Sequence, residues 1–135
     1  MTDDAALLEL VEAARAAREH AYAPYSSFKV GAAVRSASGA IHRGCNVENA
    51  SYGATLCAER AALAALVAAG ETHAVALAVY TESDEPTMPC GICRQVLFEL
   101  AAPPKEALPV SVAGPSGSKK TTLGALLPEP FVFKR

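Results

Sequence analysis

Apolar and polar positions alternate along this chain with two different periods, and each change of period marks an element. Over residues 3–21, Leu7, Val11 and Ala14 fall on one helical face of a stretch rich in alanine, leucine and glutamate. That predicts a first helix, with Asp3 or Asp4 available as its N-cap. After the turn residues Pro24, Ser26 and Ser27 the period shortens to two, with Phe28, Val30, Ala32 and Val34 as the apolar positions. The pattern breaks over 36–39 and resumes at Ala40, which predicts a β-hairpin. An uninterrupted run of good helix formers over 58–69, stopped by Gly70, predicts a second helix. Residues 74–80 are continuously apolar between polar flanks, as in a central strand covered on both faces. An acidic loop over 81–89 leads to a third helix at 91–100, which ends before Pro103 and Pro104. A further strand over 109–113, a Gly/Ser turn and a helical turn over 123–127 complete the pattern. Helices and strands alternate after the hairpin, so the expected fold is a three-layer α/β/α sandwich with a mixed central sheet, one domain over residues 1–135.

Composition narrows the class. At 51% hydrophobic and 19% charged the chain is globular, and its many alanines suit closely packed helices. A formal charge of −2, with no basic cluster larger than Lys119-Lys120, offers nothing to a polyanion, so nucleic acid is not an expected partner. The longest charge-free run in the apolar middle, 61–70, is far shorter than the ~20 residues of a membrane span, and no membrane association is expected. Asp3, Asp4 and Glu9 stand where an export signal would be basic and then apolar, which points to the cytoplasm. Four cysteines in that compartment are expected to be metal ligands or catalytic groups rather than disulfides.

The cysteine spacing carries the chemistry. Cys57 and Glu59 lie two residues apart at the start of the second helix, and Cys90 and Cys93 form a Cys-x-x-Cys turn at the start of the third. Two sulfurs from one helix start and a third from another make three tetrahedral ligands with a vacancy for water, the pattern of a catalytic zinc site. Helix N-termini favour thiolates, and Arg60 and Arg94 would offset the net charge of −1 that zinc carries with three of them. Glu59 is placed to take a proton from water at the metal and deliver it. Two other readings use the same residues. A closed four-thiolate structural site would recruit Cys45, and Cys90-Cys93 alone would suit a thioredoxin-like redox pair, which leaves Cys57 and Glu59 unexplained.

Cys-x-Glu followed by Pro-Cys-x-x-Cys is the three-cysteine form of the zinc deaminase signature. The segments YAPYSSFKVGAAV (22–34), CNVENASYG (45–53), CAERAAL (57–63), PCGICRQVL (89–97) and the closing LLPEPF resemble the small tetrameric cytidine deaminases, in order and over most of the chain. The end, Val132-Phe133-Lys134-Arg135, departs from relatives that continue with acidic residues. The resemblance implies one zinc per subunit and hydrolysis of cytidine and 2'-deoxycytidine to the uridines in pyrimidine salvage. Under it Phe28 packs on the pyrimidine, Ala58 lies at the substrate, Asn46 and Glu48 bond the ribose 3'-hydroxyl, and Glu59 bonds the base while moving protons. It also implies a homotetramer in which Ala50 and Tyr52 reach the site from one neighbouring subunit and Phe131 from another. A deaminase of a modified cytosine compound such as blasticidin S would share the machinery, and a zinc-stabilised binding module without turnover is the reading from a different class.

Overall fold

Large side chains on one side of the sheet and small ones on the other decide how the layers pack. In the computed structural model, which describes residues 4–134, five strands form one mixed sheet in the order β2-β1-β3-β4-β5. They are β1 (Gly31–Ser36), β2 (Ile41–Cys45), β3 (Ala74–Tyr80), β4 (Pro109–Gly114) and β5 (Gly117–Thr122). β3 and β4 pair in parallel, and every other neighbouring pair is antiparallel. A parallel pair needs a crossover, and helix α3 (Gly91–Leu100) supplies it. Helix α2 (Ala58–Ala68) makes the connection from β2 to β3.

Alternation along β3 divides the core. Leu77 and Val79, with Val34, Val110 and Val112, pack against Ala62, Leu63 and Leu66 of α2 and Leu97 of α3. Ala76, Ala78 and Tyr80, with Ala33 and Ala113, pack instead against Leu10, Val11 and Ala14 of α1 (Asp4–Arg18). The bulky side thus holds the two helices whose first turns carry the cysteines, and each fully buried Leu or Val there contributes roughly 1.5–3 kcal/mol. The alanine side brings α1 so close that a Cβ on Gly31 would lie 1.9 Å from the Ala14 carbonyl oxygen.

The predicted sandwich and its mixed sheet are present, with three differences in detail. Helix α1 begins at Asp4, which therefore lies in its first turn rather than at the cap; the alternative cap, Asp3, lies outside the described residues. The alternating stretch from Phe28 enters the ladder only at Gly31, because the Asn46 side chain takes the Val30 N–H and the Phe28 carbonyl that a strand would have paired. Where the sequence predicts only a Gly/Ser turn, the chain turns at Gly114–Gly117 and continues as β5, before α4 (Leu123–Leu126) is capped by the Thr122 hydroxyl, which accepts the Ala125 N–H at 3.2 Å. No helix among the described residues is long and apolar enough to cross a membrane.

Gly44 fixes the distance from the sheet to helix α2. A Cβ there would come within 2.3 Å of the Ala62 nitrogen and 2.6 Å of the Ala58 carbonyl oxygen, both backbone atoms of α2. Gly44→Ala is therefore expected to cost roughly 1–3 kcal/mol in a denaturant titration. Gly53→Ala, whose Cβ would meet nothing within 4 Å, should cost less than about 0.5 kcal/mol. Equal midpoints for the two variants would refute this account of the packing.

Candidate metal centre and active site

Cys57 is the N-cap residue of α2 and Cys90 that of α3, each with extended backbone dihedrals that turn the chain into its helix. Cys93 lies in the first turn of α3 and is buried, while Cys57 is half-buried and Cys90 exposed. The three sulfurs all lie within 4.8 Å of one another, and those of Cys90 and Cys93 are 3.5 Å apart. A tetrahedral zinc about 2.3 Å from each sulfur would set them ~3.8 Å apart, so the trio fits the ion.

Electrostatics agree with that fit. Burial, followed by the Glu59 charge and the neighbouring cysteines, pushes the Cys93 thiol far above its ordinary value. At Cys90 burial acts upward too, but hydrogen bonds from the Cys93 backbone, the Cys93 and Cys57 side chains and the Ile92 backbone outweigh it and bring that thiol down. Three thiolates this close repel one another, and a divalent cation is what lets them ionise together. Cys45, at the far end of β2 opposite Gly31, is not in the group, and Cys57 makes the Cys90-Cys93 pair a trio.

Glu59, in the first turn of α2, is only 6% exposed. Burial raises its carboxyl above the ordinary range, against the weaker pull of its own backbone N–H and the Arg60 charge. A carboxyl so placed holds a proton more readily than an exposed glutamate does.

The two arginines divide in role. Arg60 Nη2 donates to Cys57 Sγ at 3.4 Å and to the Thr55 carbonyl at 3.3 Å, and the Cys57 contact is the first cause of its raised pKa. Its Nε is buried without a hydrogen-bond partner among the described residues. Arg94, expected to balance thiolate charge, turns elsewhere: Nε donates to the Pro89 carbonyl at 2.7 Å and Nη1 to the Leu126 carbonyl at 2.9 Å. It ties the loop entering Cys90 to the end of α4, because those carbonyls have no strand or helix partner and the guanidinium fork spans both. These bonds make it a tether of that loop.

The expected substrate contacts fall into two groups. Asn46, buried on the segment after β2, accepts the Val30 N–H through Oδ1 and donates through Nδ2 to the Phe28 carbonyl, both at 2.9 Å. This leaves one Nδ2 hydrogen for a ligand. Glu48 Oε1 accepts the N–H groups of Tyr25 and Ser26. A cavity of about 260 Å³ beside it is lined by Tyr25, Ser26, Glu48, Asn49, Tyr52 and Thr55. The Ala58 methyl is fully buried in the core, so only its backbone N–H, unpaired in a first helical turn, is available to a substrate. Ala50, Tyr52 and Phe131 form the second group, all exposed, with Tyr52 at 83% and Phe131 at 70%. The Phe131 backbone is nonetheless held, its carbonyl accepting from Gln95 Nε2 at 2.9 Å and its N–H donating to Gln95 Oε1 at 3.2 Å.

Sequence reasoning passed over Ser26, read as a turn residue, and Gln95. The only signal for Gln95 was its position two residues after Cys93. A larger cavity of about 730 Å³ lies between α1 and the β4–β5 edge, but it contains none of the cysteines and no Glu59. Chemistry rather than volume assigns the site.

Comparison with known proteins gives a consistent answer. The family model for the cytidine and deoxycytidylate deaminase zinc-binding region matches residues 5–105. The cytidine deaminase of Sporosarcina psychrophila is 42% identical over 124 residues, covering 91% of this chain and 89% of that protein. That of Halalkalibacterium halodurans is 43% identical over 122 residues, covering 90% and 91%. Among solved structures, the cytidine deaminase of Burkholderia pseudomallei superposes with a TM-score of 0.85 at 50% identity, covering 92% of this chain and 98% of that one. The Mycobacterium tuberculosis enzyme gives 0.78 at 42%, covering 94% and 98%.

Proposed function

This chain belongs to the cytidine and deoxycytidylate deaminase family, and from that premise we propose that it hydrolyses cytidine and 2'-deoxycytidine to uridine and 2'-deoxyuridine, releasing ammonia. The observation that carries the reading is the convergence of three sulfurs from two helix starts with a buried carboxyl, Glu59, in the first turn of one of those helices. Cys57, Cys90 and Cys93 would hold one zinc per subunit. Zinc held there supplies Lewis acidity, which brings the pKa of water down toward neutrality.

The remaining work belongs to side chains of this protein. Glu59 takes a proton from the attacking water as the new C–O bond forms at C4 of the pyrimidine, and passes it to N3. It then takes the remaining proton from the new C4 hydroxyl and delivers it to the amino group as the C4 carbonyl forms and the C4–N bond breaks, so that ammonia leaves and the carboxylate is ready again. Its raised pKa supports both halves of that cycle. Arg60, donating to Cys57 Sγ, withdraws charge from a thiolate that would otherwise make the centre too electron-rich.

Phe28 presents its ring to the base, Asn46 and Glu48 take the ribose 3'-hydroxyl, and the Ala58 N–H contributes from the backbone. The domain spanning 1–135 acts as one of four identical subunits, with Ala50, Tyr52 and Phe131 completing neighbouring sites. Their exposure on a chain that fixes the Phe131 backbone with two hydrogen bonds supports this. Thiolate ligands suit a reducing compartment, so we place the enzyme in the cytoplasm, in pyrimidine salvage.

The test is to incubate zinc-analysed protein with cytidine, follow ammonia, and measure its mass by light scattering. Ammonia and uridine in equal amounts from a particle of four chains are expected. Zinc at one per chain with no ammonia from either nucleoside would end the proposal.

A further inference from the structure

Two loops meet at the Glu48 carboxylate. Oε1 accepts the N–H of Tyr25 at 2.9 Å and of Ser26 at 3.1 Å, which uses both of its lone pairs. Oε2 accepts the hydroxyl of Ser26. The same hydroxyl oxygen accepts the Phe28 N–H at 3.0 Å. Between them Ser27 adopts a left-handed φ of 58°, a conformation unfavourable for a residue with a Cβ, and it is this bend that brings the Phe28 amide back over Ser26.

The direction of both bonds is fixed. A backbone N–H can only donate and an ionised carboxylate can only accept, so the single Ser26 proton must point at Glu48. The Ser26 hydroxyl is also the first cause holding the Glu48 carboxyl below its ordinary range, which keeps it ionised. Oε2 retains one lone pair, beside the 260 Å³ cavity that Ser26 and Glu48 both line. Ser26 has no second proton with which to compete for it.

We propose that Ser26 is a positioning residue for nucleoside recognition: one hydroxyl fixes the ribose-facing carboxylate of Glu48 relative to the base-facing ring of Phe28, and so sets the preference for nucleosides that carry a 3'-hydroxyl. The inference rests on the ribose assignment of Glu48 and the base assignment of Phe28 made above. It extends that assignment to a residue that acts through Glu48 and Phe28.

The experiment is steady-state kinetics on the zinc-loaded enzyme with cytidine and with 3'-deoxycytidine. Removing a charge-assisted bond by Ser26→Ala should raise KM for cytidine about tenfold while kcat stays within about twofold. The rise should be no more than about threefold for 3'-deoxycytidine, where only the Phe28 arm is disturbed. Ser26→Thr keeps the hydroxyl and should restore the parent KM. Glu48→Gln should itself raise KM for cytidine, and adding Ser26→Ala to it should change little more, since Ser26 acts through the carboxylate. If Glu48→Gln raises KM while Ser26→Ala does not, or if the two effects simply multiply, the positioning role is overturned and the ribose assignment stands. If Glu48→Gln leaves both substrates unaffected, the ribose assignment fails first and the role of Ser26 falls with it.

Discussion

Glu59→Gln is expected to lower kcat for cytidine by roughly 10²–10⁴-fold, the range that a positioned proton carrier supplies, with zinc still bound at one ion per chain. Glutamine keeps the volume and one hydrogen-bond acceptor of the buried side chain, so neither the helix start nor the three cysteines should move. What it loses is the ability to take and return a proton. Burial already holds the Glu59 carboxyl above its ordinary range, so the native group holds a proton more readily than an exposed glutamate would, and the amide has no counterpart to that state. The measurements are kcat by ammonia release and metal content by atomic absorption. A variant that turned over within tenfold of the parent would remove Glu59 from the chemistry.

Cys93→Ala should abolish tight zinc binding and with it turnover. Cys93 is the buried member of the trio, and two remaining sulfurs, one of them exposed, cannot enclose the ion. A ligand present at a thousandfold excess over its dissociation constant stabilises the folded state by about 4 kcal/mol. The parent should therefore melt at a clearly lower temperature after chelation, whereas Cys93→Ala should melt at the same temperature with and without chelator. Cys45→Ala provides the control, because its sulfur is outside the group; it should keep both the zinc and the chelator effect. Loss of zinc from Cys45→Ala would revive the closed four-sulfur site.

Much of this was readable in the chain before any coordinates. Residues 74–80 and 91–100 have sharp edges in sequence because burial on both faces and a following pair of prolines leave few alternatives. The metal trio was legible because a Cys-x-x-Cys turn and a Cys-x-Glu helix start constrain geometry locally. β5 was not, since Ser118, Lys119 and Lys120 are exposed along an edge and carry no alternation of apolar residues for the eye to follow. The tether from Arg94 to Pro89 and Leu126 was not legible, because its place in sequence says that it is near Cys93 but not which way its long side chain turns. The ties from Asn46 to Phe28 and Val30, 18 and 16 residues apart in sequence, depend on the register of a hairpin and could not be inferred from composition.

β5 also bears on how the molecule behaves in a crowded solution. An unpaired strand border is a template on which stray polypeptide can add, rung by rung. Here that border carries Lys119 and Lys120 on opposite faces of the strand, the second paired with Asp4 of α1, so an approaching backbone would have to lie down beside charged side chains on both faces. The chain is thereby protected from open-ended polymerisation along this border.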